Sequence, residues 1–210
     1  MTDTDKNPSH QKRKVPLAVA LLHYPTIDRQ GDLVATNITN FDIHDIARSC
    51  RVYGVEKYFI VHPIGEQLMF VERVLDHWRT GEGSKFNPMR QTALTCVETA
   101  SNVEHALAKW GHVRARIVST HARTLPGQTP LKLNEFRTVL MSDQSHTPAD
   151  ETTEAAYLLV FGTGFGLTQE FMRSCWGVLE PLKGDSADDY RHLSVRSAAS
   201  ICLDRLLGSW

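Results

Sequence analysis

The sequence predicts an α/β fold in which a mostly parallel sheet is covered by helices on both faces. Three observations carry that prediction. Short apolar runs at 17–22, 58–61 and 158–161 are unbroken rather than alternating, as expected of strands buried on both faces. Between them lie segments whose apolar residues recur at helical spacing. Strand and helix alternate along the chain without an internal repeat, the pattern of parallel strands joined by crossover helices.

Each element follows from local chemistry. Residues 1–14 are polar, lack periodicity and end in Lys12-Arg13-Lys14, so they are expected to be a disordered leader to a single domain over 15–210. Order begins with the strand at 17–22, followed by a loop marked by Pro25 and Asp28-Arg29-Gln30-Gly31. The spacing predicts a helix over 41–53, capped by Asn40, with Asp42 in its first turn and Gly54 at its end. Ile43, Ile46, Ala47 and Cys50 are its buried stripe. The strand at 58–61 stops at His62-Pro63. A helix over 67–79 places Leu68, Val71, Val74, Leu75 and Trp78 on one side. Gly81, Gly83 and Pro88 predict a loop over 81–90, and 94–97 reads as a weak strand. Ser101-Asn102-Val103-Glu104 reads as a capping box for a helix reaching Trp110 and closed by Gly111. A strand at 116–119, a helix at 131–141 and a polar surface connection at 142–154 come next. A strand at 158–161, a short helix at 168–174, a strand at 177–179 and a small-residue helix after Ser194 complete the chain.

Composition narrows the function. The 210 residues suffice for one core, and 41% apolar with 22% charged is the balance of a soluble globular protein. A formal net charge of −1 excludes nucleic-acid binding by overall charge, so such contact needs a local basic patch. Lys12, Arg13, Lys14, Arg48, Arg51 and Arg196 are its candidates. The four cysteines, Cys50, Cys96, Cys175 and Cys202, form no C-x-x-C pair and read as reduced core fillers, which points to the cytoplasm. The ten histidines lack metal-site spacing, and no apolar run is long enough for a membrane span, so neither metal nor membrane is expected.

The stretch Leu158-Leu159-Val160-Phe161-Gly162-Thr163-Gly164-Phe165-Gly166-Leu167 is a buried strand that turns where a ligand can touch bare backbone. Its spacing is G-x-G-x-G, not G-x-G-x-x-G, and it follows most of the strands instead of the first. A nucleotide-binding oxidoreductase is therefore disfavoured. The ligand is expected at the carboxyl ends of late strands.

Three stretches together resemble the SPOUT (SpoU–TrmD) class of S-adenosylmethionine-dependent RNA methyltransferases. They are the segment from Asp42 through Arg48 to Gly54 and Val55, the glycine loop ending in Leu167, and Leu193-Ser194-Val195-Arg196-Ser197 with its small-residue helix. The resemblance covers about residues 16–208 and points to a stand-alone branch. It implies a C-terminal trefoil knot, a homodimer with the cofactor pocket at or near the subunit interface, and a transfer or ribosomal RNA substrate. It also implies that S-adenosylmethionine lies among Thr120, His121, Gly162, Thr163, Gly164, Gly166, Glu180, Pro181, Leu182, His192, Leu193 and Ser194, with Ser197 a further candidate. Leu182 and Leu193 would sandwich the adenine ring.

For the chemistry, Arg48 and Asp42 are the catalytic candidates. A guanidinium stays protonated, so Arg48 suits clamping a phosphate or stabilising developing charge, from either subunit, rather than acting as a base. A base could be Asp42, Asp45, Asp185, Asp188, Asp189, His44 or His192. Asp42, His44 and His192 stand where SpoU-type members carry other residues, which leaves guanine N1 and the ribose 2′-hydroxyl both open as acceptors. A non-catalytic S-adenosylmethionine-binding module is the alternative reading.

Overall fold

A computed structural model describes residues 15–142 and 155–209. The expected leader and residues 143–154 of the polar connection lie outside the described residues. In chain order the strands are β1 (Leu17–Leu22), β2 (Thr26–Ile27), β3 (Leu33–Val34), β4 (Lys57–Val61), β5 (Val97–Ala100), β6 (Arg116–Ser119), β7 (Tyr157–Gly162) and β8 (Gly177–Val178). The helices are α1 (Asn40–Val52), α2 (Gly65–Arg79), α3 (Glu82–Phe86), α4 (Pro88–Leu94), α5 (Val103–Trp110), α6 (Leu133–Met141), α7 (Gln169–Ser174) and α8 (Val195–Leu207).

The main sheet runs β5-β4-β1-β7-β6-β8, and every pairing in it is parallel. β1 is central and all six of its residues are buried, which is why the sequence there is apolar without alternation. Leu17, Val19 and Leu21 face a core shared with α1, α2, α6 and α8; Ala18, Ala20 and Leu22 face a second core closed by α5 and α7. The small alanines on the second face let Trp110 and Met172 fill that layer. The predicted stripe of α1, Ile43, Ile46, Ala47 and Cys50, is fully buried. Leu22 pairs with both Val61 and Gly162, so β1, β4 and β7 end level and their outgoing loops share one edge.

Several boundaries differ from expectation, each for a local reason. Thr39, not Asn40, caps α1: Thr39 is extended and its hydroxyl accepts from the Asp42 N–H. The expected loop at 81–90 is largely helical. Gly83 lets α3 lie against α2, since a Cβ there would sit 2.7 Å from Trp78 Cε3. Pro88 begins α4 at the position where no N–H is needed, with Asn87 accepting from Arg90 N at 2.9 Å. The strand expected at 94–97 therefore starts only at Val97. Asn102, rather than Ser101, caps α5 by accepting from His105 N at 2.7 Å. Leu131 precedes α6 and bridges Leu179. The loop after β1 contains the antiparallel hairpin β2–β3. Cys50, Cys96 and Cys202 are buried as expected, but Cys175 is only partly so.

Candidate functional site

The glycine loop after β7 is locked to the β2–β3 hairpin. Phe165 N donates to Ile27 O at 3.1 Å, Ile27 N to Gly166 O at 3.0 Å, and Thr26 bridges Leu167. Gly164 and Gly166 have φ of +59° and +113°, conformations that disfavour any side chain. A Cβ on Gly162 would lie 2.7 Å from Leu167 Cγ, and one on Gly164 3.1 Å from Ile27 O. The glycines thus serve the chain's own close approach as well as any ligand.

This loop forms one wall of a cavity of about 810 Å³ at the carboxyl edge of the sheet. Thr120, His121, Gly162, Thr163, Gly164, Gly166, Glu180, Leu182, His192, Leu193 and Ser194 all line it, as does Asp42. Pro181 is buried beneath and is not part of the lining. Ser197 also lies outside; its N–H caps onto Ser194 Oγ at 3.2 Å, opening α8. Arg48 is exposed on α1 and is not among the lining residues. Sequence reasoning missed Thr36, Asn37 and Thr39, which come from the segment between β3 and α1, and Arg123 and Arg191 at the rim. Only the polar run Thr36-Asn37-Ile38-Thr39 before a helix signalled the first three.

Hydrogen bonds fix most polar groups of the cavity. Thr120 Oγ1 donates to Val160 O at 3.0 Å, and Glu180 Oε1 accepts from Leu133 N at 2.7 Å at the start of α6. Asp42 is buried: its Oδ2 accepts from Thr39 Oγ1 at 2.5 Å and its Oδ1 lies 3.2 Å from Arg196 Nη1. Arg196 Nε also lies 3.4 Å from Asp45 Oδ2, so two carboxylates neutralise this candidate for the RNA patch.

The other base candidates divide by place. His44 packs edge-on against Trp78, away from the cavity, and burial, with Arg90 and Arg48 nearby, lowers its pKa. Asp188 is held low by its bond from Ser186, and Asp189 pairs with Arg191. Burial pushes the Cys202 thiol at the cavity floor up to about 12, which rules it out as a thiolate nucleophile at neutral pH. Burial also drives His23, beneath the lining, down to about 4 and lowers His62. Among the described residues, no group of three or more His, Cys, Asp or Glu is placed to hold a metal.

The cavity matches the size of small-molecule sites, with Phe161, Leu182 and Leu193 as apolar surfaces and turns of main chain between them. Such residues fit an adenosine-bearing cofactor, with aliphatic side chains for a ring and backbone for its polar edge. A parallel α/β sheet with this cavity at the carboxyl ends of its strands defines an α/β protein with a small-ligand site at that edge.

The particular family follows from comparison. Residues 16–208 match the family described as SAM-dependent RNA methyltransferase, and the chain belongs to that family. It is 37% identical over 191 residues to an uncharacterized protein of Aquifex aeolicus, covering 90% of this chain and 86% of that one. It is 37% identical over 196 residues to a tRNA (guanine-N(1)-)-methyltransferase of Oleidesulfovibrio alaskensis, covering 91% of this chain. The chain spans only 42% of that relative's length. A probable methyltransferase from Bordetella pertussis Tohama I has the same fold, with a TM-score of 0.57 at 16% identity over 91% of this chain and 94% of that one. So does TrmJ from Z. mobilis ZM4, with a TM-score of 0.57 at 13% identity over 93% and 70% of the two chains. These findings bear out the expected family of S-adenosylmethionine-dependent RNA methyltransferases and the parallel α/β fold. They set aside the non-catalytic and oxidoreductase readings.

Proposed function

We propose that the chain methylates N1 of a guanine in transfer RNA, with the donor held against the glycine loop and the acceptor base against the Thr36–Asp42 side. The observation that carries this reading is the place of Asp42: a buried carboxylate that lines the same cavity as Gly162 to Gly166. S-adenosylmethionine, when bound, supplies a methyl on a sulfonium sulfur open to direct displacement. The protein's part is to hold, align and deprotonate. Leu182 and Leu193 hold the adenine ring, and the main chain at Thr120, His121, Gly162 to Gly166 and His192 to Ser194 reads its edge. Asp42, fixed by Thr39 and Arg196, takes the proton from the guanine N1–H, which is acidic enough for a carboxylate to assist. The curated relative's specificity for guanine N1 supports the same acceptor.

Arg48 acts on the RNA, clamping a phosphate at the cavity of a second protomer in a homodimer. Its outward position on α1 supports that role, and Phe41 and Val52, 66% and 76% exposed on the same helix, supply apolar surface for pairing. Arg51 extends the basic surface. The C-terminal segment is threaded as a trefoil knot. That threading is supported by the return of the chain from β8, beside β6, to α8, which packs with α1 and α6 on β1 and β7. Free thiols and a transfer-RNA substrate are in keeping with the cytoplasm. Nucleoside mass spectrometry of transfer RNA with and without the protein tests the acceptor. Loss of 1-methylguanosine is expected on deletion; loss of a 2′-O-methylated nucleoside instead would overturn it.

A further inference from the structure

Behind the glycine loop lies a set of polar groups that line up in one direction. Thr163 Oγ1 donates to Leu22 O at 3.2 Å, Thr36 Oγ1 is hydrogen-bonded to Thr163 Oγ1, and His23 Nδ1 stands 3.0 Å from Thr36 Oγ1. A carbonyl oxygen can only accept, so Thr163 spends its single proton on Leu22. Thr36 must then donate to Thr163, and its lone pair must be filled by an N–H on His23 Nδ1. The chain of bonds therefore runs His23 to Thr36 to Thr163 to Leu22.

His62 is fixed in the opposite tautomer. Ile64 N donates to His62 Nδ1 at 2.9 Å, so that nitrogen is bare and Nε2–H donates to Thr36 O at 3.0 Å. Thr36 N donates to His23 O at 3.0 Å. Every polar group of Thr36 is thus engaged, its hydroxyl by one imidazole and its carbonyl by the other. Both rings are buried, and His23 Nε2 is a buried atom without a hydrogen-bond partner. A second proton on His23 would place an N–H where nothing accepts it.

Thr36 and Thr163 both line the cavity, Thr163 in the glycine loop and Thr36 in the segment before α1 that packs against that loop. We infer that His23 is a positioning residue for methyl transfer: as the Nδ1–H tautomer it directs the Thr36–Thr163 bond that sets the spacing between donor and acceptor sides. It touches neither ligand. Its effect passes through Thr163, whose hydroxyl proton is committed to the chain, leaving that side chain no proton to give the donor. This rests on the cavity being the S-adenosylmethionine site.

Two measurements test it. Long-range ¹H–¹⁵N correlation on histidine-labelled protein at neutral pH, with His23→Asn giving the assignment, is expected to show His23 neutral and protonated at Nδ1. An Nε2–H tautomer or an imidazolium overturns the inference without reference to any ligand. Titration with S-adenosylmethionine then compares wild type, Thr36→Val, His23→Leu and His23→Asn. Breaking the chain is expected to weaken binding about tenfold in Thr36→Val and His23→Leu. The double variant is expected to be no worse than either single one, because the groups act as a unit. His23→Asn, whose amide N–H takes the place of Nδ1–H, is expected to recover most of that loss. Equal affinity of Thr36→Val and wild type, additive losses, or His23→Asn no better than His23→Leu overturns the inference. Failure of wild type to bind would instead reject the assignment of the cavity.

Discussion

Asp42 of α1 and Arg196 of α8 form an ion pair, Oδ1 to Nη1 at 3.2 Å, that joins the N-terminal turns of the two helices at the cavity. The carboxylate side chain is 6% exposed and the guanidinium 36%, so the pair sits at the boundary between core and solvent. Removing the cation strands a carboxylate with one hydroxyl donor left. Arg196→Ala is expected to cost about 1–3 kcal/mol, a fall in Tm of roughly 3–10 °C for a chain of this size. Thermal melts in a double-mutant cycle with Asp42→Asn check it; additive effects would sink the coupling.

The histidines under the cavity make stability depend on pH. Burial lowers His23 from its ordinary 6.5 to about 4, so the folded state binds fewer protons than the unfolded chain between those values. Its contribution is therefore full above about pH 6.5 and lost as pH falls toward 4, and the lowered His62 acts in the same direction. The loss from His23 alone is on the order of 3 kcal/mol. Urea unfolding from pH 7 to pH 4 should show it, and His23→Asn should flatten the slope. An unchanged slope in that variant would assign the effect elsewhere.

How much of this was readable beforehand depends on whether the signal was local. β1, β4 and β7 were legible because a strand buried on both faces is apolar almost throughout. The late loops of the cavity were legible through a resemblance, since their register comes only from the parallel sheet. A loop was expected over 81–90, where α3 and most of the first turn of α4 lie, because Gly83 and Pro88 break helices in isolation. Here Gly83 makes room for Trp78 and Pro88 starts a helix, facts that belong to packing. Thr36 was invisible for the same reason: its partners are His23, His62 and Thr163, far apart in sequence.

Gly162 and Gly31 separate the two costs of losing a glycine. A Cβ at Gly162 meets Leu167 Cγ at 2.7 Å and its backbone nitrogen at 3.0 Å, so Gly162→Ala must displace the turn beside the cavity. Gly31 has φ +92° but nothing within 4 Å, so Gly31→Ala bears backbone strain alone, about 1 kcal/mol. Gly162→Ala is expected to weaken S-adenosylmethionine binding at least tenfold by calorimetry, and Gly31→Ala less than twofold. Comparable losses from both would mean that general destabilisation, not the turn, governs binding.

Arg48 offers the cleanest separation of substrate handling from donor binding. It projects from the exposed face of α1, outside the cavity lining, and no described carboxylate neutralises it in an ion pair within this protomer. On the proposed reading, a cation so placed serves RNA contact and not the donor site. Arg48→Ala is expected to leave the S-adenosylmethionine Kd within twofold of wild type while lowering methyl transfer to RNA at least tenfold. Arg48→Lys keeps charge but loses the planar fork, so only partial activity should return. Tritiated-methyl incorporation beside calorimetry reads both quantities on one preparation. If Arg48 serves a partner's cavity, mixing Arg48→Ala with a cavity variant such as Gly162→Ala should restore up to a quarter of the activity, because half of the random dimers carry one intact composite site. Absence of any recovery in dimers shown by light scattering to have exchanged would place Arg48 in service of its own protomer.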